Sequence, residues 1–101
     1  MKIETLGERL TVSEIPELTA VNSSQFRERV GAALPSAPGV IEIDLSQTQF
    51  VDSSGLGALF ALYRSTGNGK NVTLRLLNPA PEIQQLFELT QMHQLFEIVQ
   101  R

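Results

Sequence analysis

Val40-Ile41-Glu42-Ile43-Asp44-Leu45, followed by Phe50-Val51-Asp52-Ser53-Ser54-Gly55-Leu56-Gly57-Ala58-Leu59, decides how this chain is read. The first segment alternates in period two, so Ile41, Ile43 and Leu45 share one face of a strand. Ser46 to Gln49 is a polar connection, and Phe50-Val51 returns the chain to the core. Asp52-Ser53-Ser54-Gly55 then opens a helix. Leu56, Leu59, Phe60 and Tyr63 fall at i, i+3, i+4 and i+7, which predicts a helix over Ser54–Thr66.

Toward the amino end, Ile3–Leu6 and Arg9–Glu14 read as two strands joined at Gly7, an antiparallel hairpin. Ile15-Pro16-Glu17-Leu18 leaves the sheet, because Pro16 has no N–H for a ladder. Asn22–Leu34 is a predicted helix. Asn22, Ser23 and Ser24 are capping types, and Phe26, Val30, Ala33 and Leu34 lie on its inner face. Pro35 to Gly39 forms a surface loop.

Toward the carboxyl end, Gly67 to Asn71 is a turn and Val72–Leu76 a strand. Pro81 suits a first helical turn, and Ile83, Leu86, Phe87 and Thr90 make the stripe of a helix over Pro81–Leu89. The pattern leaves Phe96–Gln100 open between a short strand and a fraying helix. Strands alternating with helices imply parallel crossovers, and the hairpin adds an antiparallel member. The expected fold is therefore α/β, a mixed sheet of four to five strands, in one domain over residues 1–101.

Composition narrows the function. Hydrophobic residues are 42% and charged residues 19% of 101, a globular balance without a membrane-spanning run. Nothing resembles a secretory leader, so a cytoplasmic protein without membrane insertion is expected. Cysteine is absent, which removes disulfides and thiol chemistry. One histidine and no cysteine also argue against a zinc site, and no metal or other cofactor is expected. The net charge is -3, and the eight basic residues form no dense patch, so direct nucleic-acid binding is not expected.

Several chemical motifs fail on inspection. Gly55-Leu56-Gly57 begins a dinucleotide fingerprint, but Phe60 stands at its third glycine. Gly69-Lys70 ends like a phosphate loop, with Arg64 where its first glycine belongs and Asn71 at its Ser/Thr. His93 is isolated in a polar stretch and offers no triad. Asp44 and Asp52 both stand at the carboxyl end of the predicted sheet, where two carboxylates can hold Mg²⁺. Nothing completes that set, and a strand end and a helix cap account for both. No catalytic residue is assigned, and the chain is not expected to be an enzyme.

Phe50 to Gly57 carries more information. Asp52 or Ser53 can accept from free N–H groups of the first helical turn. Those N–H groups also favour an anion, so a phosphate on a serine here suits the local field. Gly55 and Gly57 remove bulk and permit close approach by another protein. By itself, Asp-Ser-Ser-Gly is a good N-cap, and most such sequences are only caps.

The run Ile41 to Leu45 leading to Val51-Asp52-Ser53-Ser54-Gly55-Leu56-Gly57-Ala58-Leu59, with Asn78-Pro79 before the last helix, resembles the STAS domain family. That family holds anti-sigma factor antagonists and modules attached to anion transporters, and the resemblance spans about Ile3 to Val99. It implies a STAS-like mixed sheet with helices packed mainly on one face. It also implies that Ser53, directly after Asp52, is a phosphoacceptor, with Asp52 flanking it and Ser54 helping to position it. Gly55, Leu56 and Gly57 would belong to the surroundings that a partner meets.

The implied partners are a serine kinase that is itself an anti-sigma factor, with the ATPase fold of histidine kinases, and a serine phosphatase that resets the system. The unphosphorylated protein would bind the kinase and the phosphorylated one release it. The other reading is an interaction subunit of a transporter or sensor complex that ignores phosphate. One position departs from the family pattern. In Pro16-Glu17-Leu18-Thr19, Thr19 replaces an acid that lies near the phosphoacceptor in the family.

Overall fold

The computed structural model describes residues 1–101. Its strands are β1 (Lys2–Leu6), β2 (Arg9–Ser13), β3 (Glu17–Leu18), β4 (Val40–Asp44), β5 (Phe50–Val51), β6 (Thr73–Leu77) and β7 (Glu97–Val99). Its helices are α1 (Ser23–Ala33), α2 (Ser53–Ser65) and α3 (Pro81–Leu89), with a 3-10 turn at Met92–Gln94. Five strands form one sheet in the order β1-β2-β4-β6-β7, and β3 pairs β5 in a second, two-stranded sheet. β1 and β2 are antiparallel, joined across Gly7 at φ 61°. Every later neighbour is parallel.

The order explains the layering. Each crossover adds its strand on the same side of the last, so three right-handed connections place α1, α2 and α3 on one face. Apolar rows run across that face. Leu10 pairs Ile41, which pairs Leu74, and Val12 pairs Ile43, which pairs Leu76. Phe26 and Val30 of α1, Ala58, Leu59 and Leu62 of α2, and Ile83 and Phe87 of α3 close over them. Each large side chain so buried contributes about 1.5–3 kcal/mol. Because strand addition never reverses, the sheet has no switch-point crevice of the kind that holds ligands in doubly wound folds.

The opposite face carries no helix. Glu42 lies there, and its carboxylate accepts from Arg9 Nη2 at 2.6 Å, Arg101 Nη2 at 2.9 Å and Arg75 Nη1 at 3.2 Å. Arg75 also pairs Glu97 at 3.4 Å. These guanidiniums leave Glu42 only 3% exposed.

Several local readings need correction. The inner stripe of α2 is Gly55, Ala58, Leu59 and Leu62, whereas Phe60 is 44% exposed and Leu56 and Tyr63 are half-buried. The small residues at 55 and 58 let α2 roll toward β3 and α1, which turns the larger Phe60 outward. On α3, Ile83 and Phe87 are buried but Thr90 is exposed, its hydroxyl donating to the Leu86 carbonyl at 2.8 Å. Helix α2 begins one residue earlier than predicted, and β6 runs one residue later. The open segment Phe96–Gln100 contains strand β7, paired to β6. The stretch after β2 does leave the main sheet, yet Glu17 and Leu18 pair with Phe50 and Val51. Among the three capping candidates of α1, Asn22 holds the cap position but makes no side-chain cap.

Candidate functional site

Asp52 joins β5 to α2. Its backbone is extended, and its Oδ1 accepts from Gly55 N at 2.9 Å, the geometry of an N-cap. Its Oδ2 accepts from Ala20 N at 3.0 Å, across 32 residues of sequence. One carboxylate therefore starts α2 and ties down the loop between β3 and α1. Hydrogen bonds from the Gly55 and Ala20 amides hold its carboxyl below the ordinary carboxylate value.

The tied loop is ordered by its own side chains. Thr19 N donates to Asn22 Oδ1 at 2.9 Å, and Asn22 Nδ2 donates to the Glu17 carbonyl at 2.6 Å. Thr19 Oγ1 donates to Glu17 Oε1 at 2.6 Å and accepts from Val21 N at 3.2 Å. The Thr19 carbonyl accepts from Ser23 N at 2.8 Å, so it serves the first turn of α1 in place of a side-chain cap. Thr19 thus stands one residue from the amide that Asp52 holds. Its hydroxyl spans two acceptor and donor roles that a carboxylate cannot combine.

Gly55 fixes how near α2 comes to this loop. A Cβ at residue 55 would lie 1.9 Å from the Leu18 carbonyl oxygen. Gly55 is buried, so its missing side chain serves the packing of α2 against β3 rather than the approach of another protein. Gly57 differs. It is half-buried, and a Cβ there would meet Arg27 Nη2 at 3.3 Å. Leu56 is half-buried against the edge of the core.

Between Asp52 and Gly55 stands Ser53, the first residue of α2. It is exposed, and its hydroxyl takes part in no hydrogen bond, whereas Ser54 is half-buried. Thr19, Asp52, Ser53, Ser54 and Gly55 are thus brought to one end of the molecule. Ser53 lines none of the four surface concavities.

The remaining candidates share no hydrogen bond with these residues. Asp44 Oδ1 accepts from Ser46 N at 2.9 Å, closing its own turn. No group of three or more His, Cys, Asp or Glu side chains is placed to hold a metal ion. His93 lies exposed in the 3-10 turn. No helix is long and apolar enough to cross a membrane. Sequence reasoning missed Ala20, Asn22 and Arg27 as parts of this region. Asn22 carried a signal, since a residue typical of caps also holds loops.

The sheet is singly wound, with one helical layer packed over it. The chain belongs to the STAS domain family, whose model matches residues 2–101. A STAS-domain containing protein of Pseudomonas aeruginosa is 36% identical over 56 residues, 55% of this chain and about half, 54%, of that protein's length. A Thermotoga maritima protein assigned as an anti-sigma factor antagonist superposes with a TM-score of 0.85 at 17% identity, covering 99% of this chain and 85% of that one. The Bacillus anti-sigma factor antagonist SpoIIAA, unphosphorylated, gives 0.81 at 22% identity, covering 99% and 86%. Its phosphorylated form gives 0.70 at 21% identity, covering 99% and 89%. At these identities the solved structures establish the shared fold.

Proposed function

We propose that this protein is a phosphorylation switch of the anti-sigma factor antagonist kind, and that Ser53 is its acceptor. With Ser53 free it binds a serine kinase that doubles as an anti-sigma factor-like regulator, and with Ser53 phosphorylated it releases that partner. The carrying observation is the exposed, unbonded Ser53 hydroxyl directly after Asp52, whose two carboxylate oxygens accept from the Ala20 and Gly55 amides. The relatives described as anti-sigma factor antagonists, one of them in a phosphorylated form, support the reading.

The chemistry belongs to the partner. The Ser53 oxygen forms a bond to the γ-phosphorus of ATP, the bond to the β–γ bridging oxygen breaks, ADP leaves, and the hydroxyl proton passes to base or solvent. A serine phosphatase restores the hydroxyl by hydrolysis. The phosphate adds about -1.5 to -2 charges at neutral pH. Placed at the start of α2, such an anion is favoured by about 0.3–1 kcal/mol, so the fold persists while the partner surface changes.

The test measures affinity for a purified candidate kinase, using wild type, the Ser53 phosphoprotein, Ser53→Ala and Ser53→Asp. Phosphorylation is expected to weaken binding by at least about tenfold, which 1.4 kcal/mol supplies. Ser53→Asp should follow in part, and Ser53→Ala should keep full affinity. Equal affinities in all four would replace the switch with a phosphate-independent subunit of a transporter or sensor complex.

A further inference from the structure

Arg27 of α1 is an uncommitted cation. The ion pairs of the protein engage Lys2, Arg9, Arg75 and Arg101, and Arg29 donates to the Met1 carbonyl. Arg27 is exposed and enters neither kind of contact. Its guanidinium nevertheless lies against α2, with Nη2 3.3 Å from the point where a Cβ of Gly57 would stand. A Cβ at residue 57 would press on it and make it give by a few tenths of an ångström, so the glycine lets the guanidinium lie close to this face.

Gly57 follows Ser53 by one helical turn. Residues four apart on a helix are surface neighbours, with about 5–6 Å between Cβ positions. The guanidinium therefore rests on the stripe of α2 that Ser53 heads, about one helical turn from it. Arg64 shares that stripe but stands about 16 Å farther along the axis, from a rise of about 1.5 Å per residue. Asp52 flanks Ser53 on the other side, and both its oxygens are held by backbone amides. A phosphate on Ser53 would thus stand beside a negative charge oriented by two amides, with the Arg27 guanidinium one helical turn along α2.

We propose that Arg27 is the intramolecular receiver of the phosphoryl group on Ser53, swinging from Gly57 to pair with it and tying α1 to the start of α2. The pairing rests on Ser53 being the acceptor, as proposed above. It makes Arg27 a positioning residue for the phosphorylated state. The fork of a guanidinium matches two phosphate oxygens, which an ammonium group does not reproduce.

The experiment separates this pairing from the switch itself. Phosphoserine is installed at residue 53 by semisynthesis in the full chain, so no kinase is needed. The second ionisation of the phosphate is then followed by phosphorus NMR in wild type, Arg27→Gln, Arg27→Lys and Arg64→Gln. The neighbouring guanidinium favours the dianion, so the wild-type value should lie about half a unit or more below that of Arg27→Gln. Arg27→Lys should fall between, and Arg64→Gln should match wild type.

Coincident curves for wild type and Arg27→Gln overturn the proposal, as does an equal shift in Arg64→Gln, which would show a general charge effect. If Arg27→Gln weakens kinase binding by the unphosphorylated protein but leaves the titration unmoved, the residue serves the partner and the proposal also falls. A kinase affinity indifferent to phosphorylation, with the titration shift intact, would sink the switch and leave the pairing standing.

Discussion

Asp52 stands half-buried at the start of α2, and Glu42 lies buried on the helix-free face of the sheet, yet both carboxyls are held below their ordinary values. The means differ. Asp52 is held by two backbone amides, from Gly55 and Ala20, whose positions the fold fixes. Glu42 is pushed up by burial, and hydrogen bonds from Arg9, Arg75 and Arg101 more than reverse that push. Amides tie Asp52 to the close approach of two chain segments. Guanidiniums tie Glu42 to the lateral register of β2, β4 and β6, through long side chains that remain partly in water. The Asp52 region should therefore fail by backbone displacement, and the Glu42 region by loss of charge.

The largest effect should come from Gly55→Ala. Its Cβ would meet the Leu18 carbonyl at 1.9 Å, and a backbone atom cannot yield as a side chain can. We expect a loss of about 3 kcal/mol or more in urea unfolding, the upper range for overpacking. Gly31→Ala is the matched control, exposed within α1 with nothing within 4 Å of its new Cβ. It should gain about 0.4–1 kcal/mol. Equal responses would mean that the Asp52 region is not held by close backbone approach.

Glu42→Ala comes next. Breaking a fully buried pair costs about 3–5 kcal/mol, but the three guanidiniums are 29–51% exposed and can return to water. The expected loss is thus about 1–2 kcal/mol, seen in the urea midpoint. A loss as large as that of Gly55→Ala would show that Glu42 organises the sheet more deeply than its partners' exposure implies.

The two regions also differ in how far they can be read from sequence. Asp52 is legible because an N-cap is local, with acceptor and donor three residues apart. Ile41, Ile43 and Leu45 are legible because burial on one face leaves a period of two. The fate of Glu42 is not, since its partners lie 33 and 59 residues away and sheet register decides which arginines reach it. The same limit hid the bond from Ala20 to Asp52 and the second sheet of β3 and β5, which are tertiary pairings with two-residue signals. The buried stripe of α2 departs from the hydrophobic pattern because it includes the small residues Gly55 and Ala58, which such a pattern does not register. Of the site, the position of Ser53 was readable, and the clamp that displays it only by half.

Asp52→Asn sharpens the contrast at smaller scale. The amide oxygen can still accept from Gly55 N, but the amide nitrogen cannot accept from Ala20 N. Hydrogen exchange should show the Gly55 amide still protected and the Ala20 amide released. If both lose protection together, helix start and loop form one unit. If neither changes, the loop is held by Thr19 and Asn22 alone.

The smallest effect separates the two carboxylates by pH and salt. Both folded values lie below the ordinary 4.5 of Glu42 and 3.8 of Asp52. As pH falls below those ordinary values, the unfolded chain binds protons before the folded one does. The contribution of each group is therefore complete above its ordinary value and disappears as pH falls through its folded value. Glu42→Gln should flatten the acid loss of stability from about pH 4.5 downward, and Asp52→Asn only from about pH 3.8. Salt then acts unequally. At 1 M the screening length is about 3 Å, and Arg9 and Arg101 are half in water, so their hold on Glu42 weakens. The amides on Asp52 carry no net charge and keep their geometry. Carboxyl carbon NMR at 0.1 and 1 M salt should show the Glu42 titration moving up and that of Asp52 nearly still. Equal movement of both would erase the distinction between a carboxylate held by backbone and one held by charge.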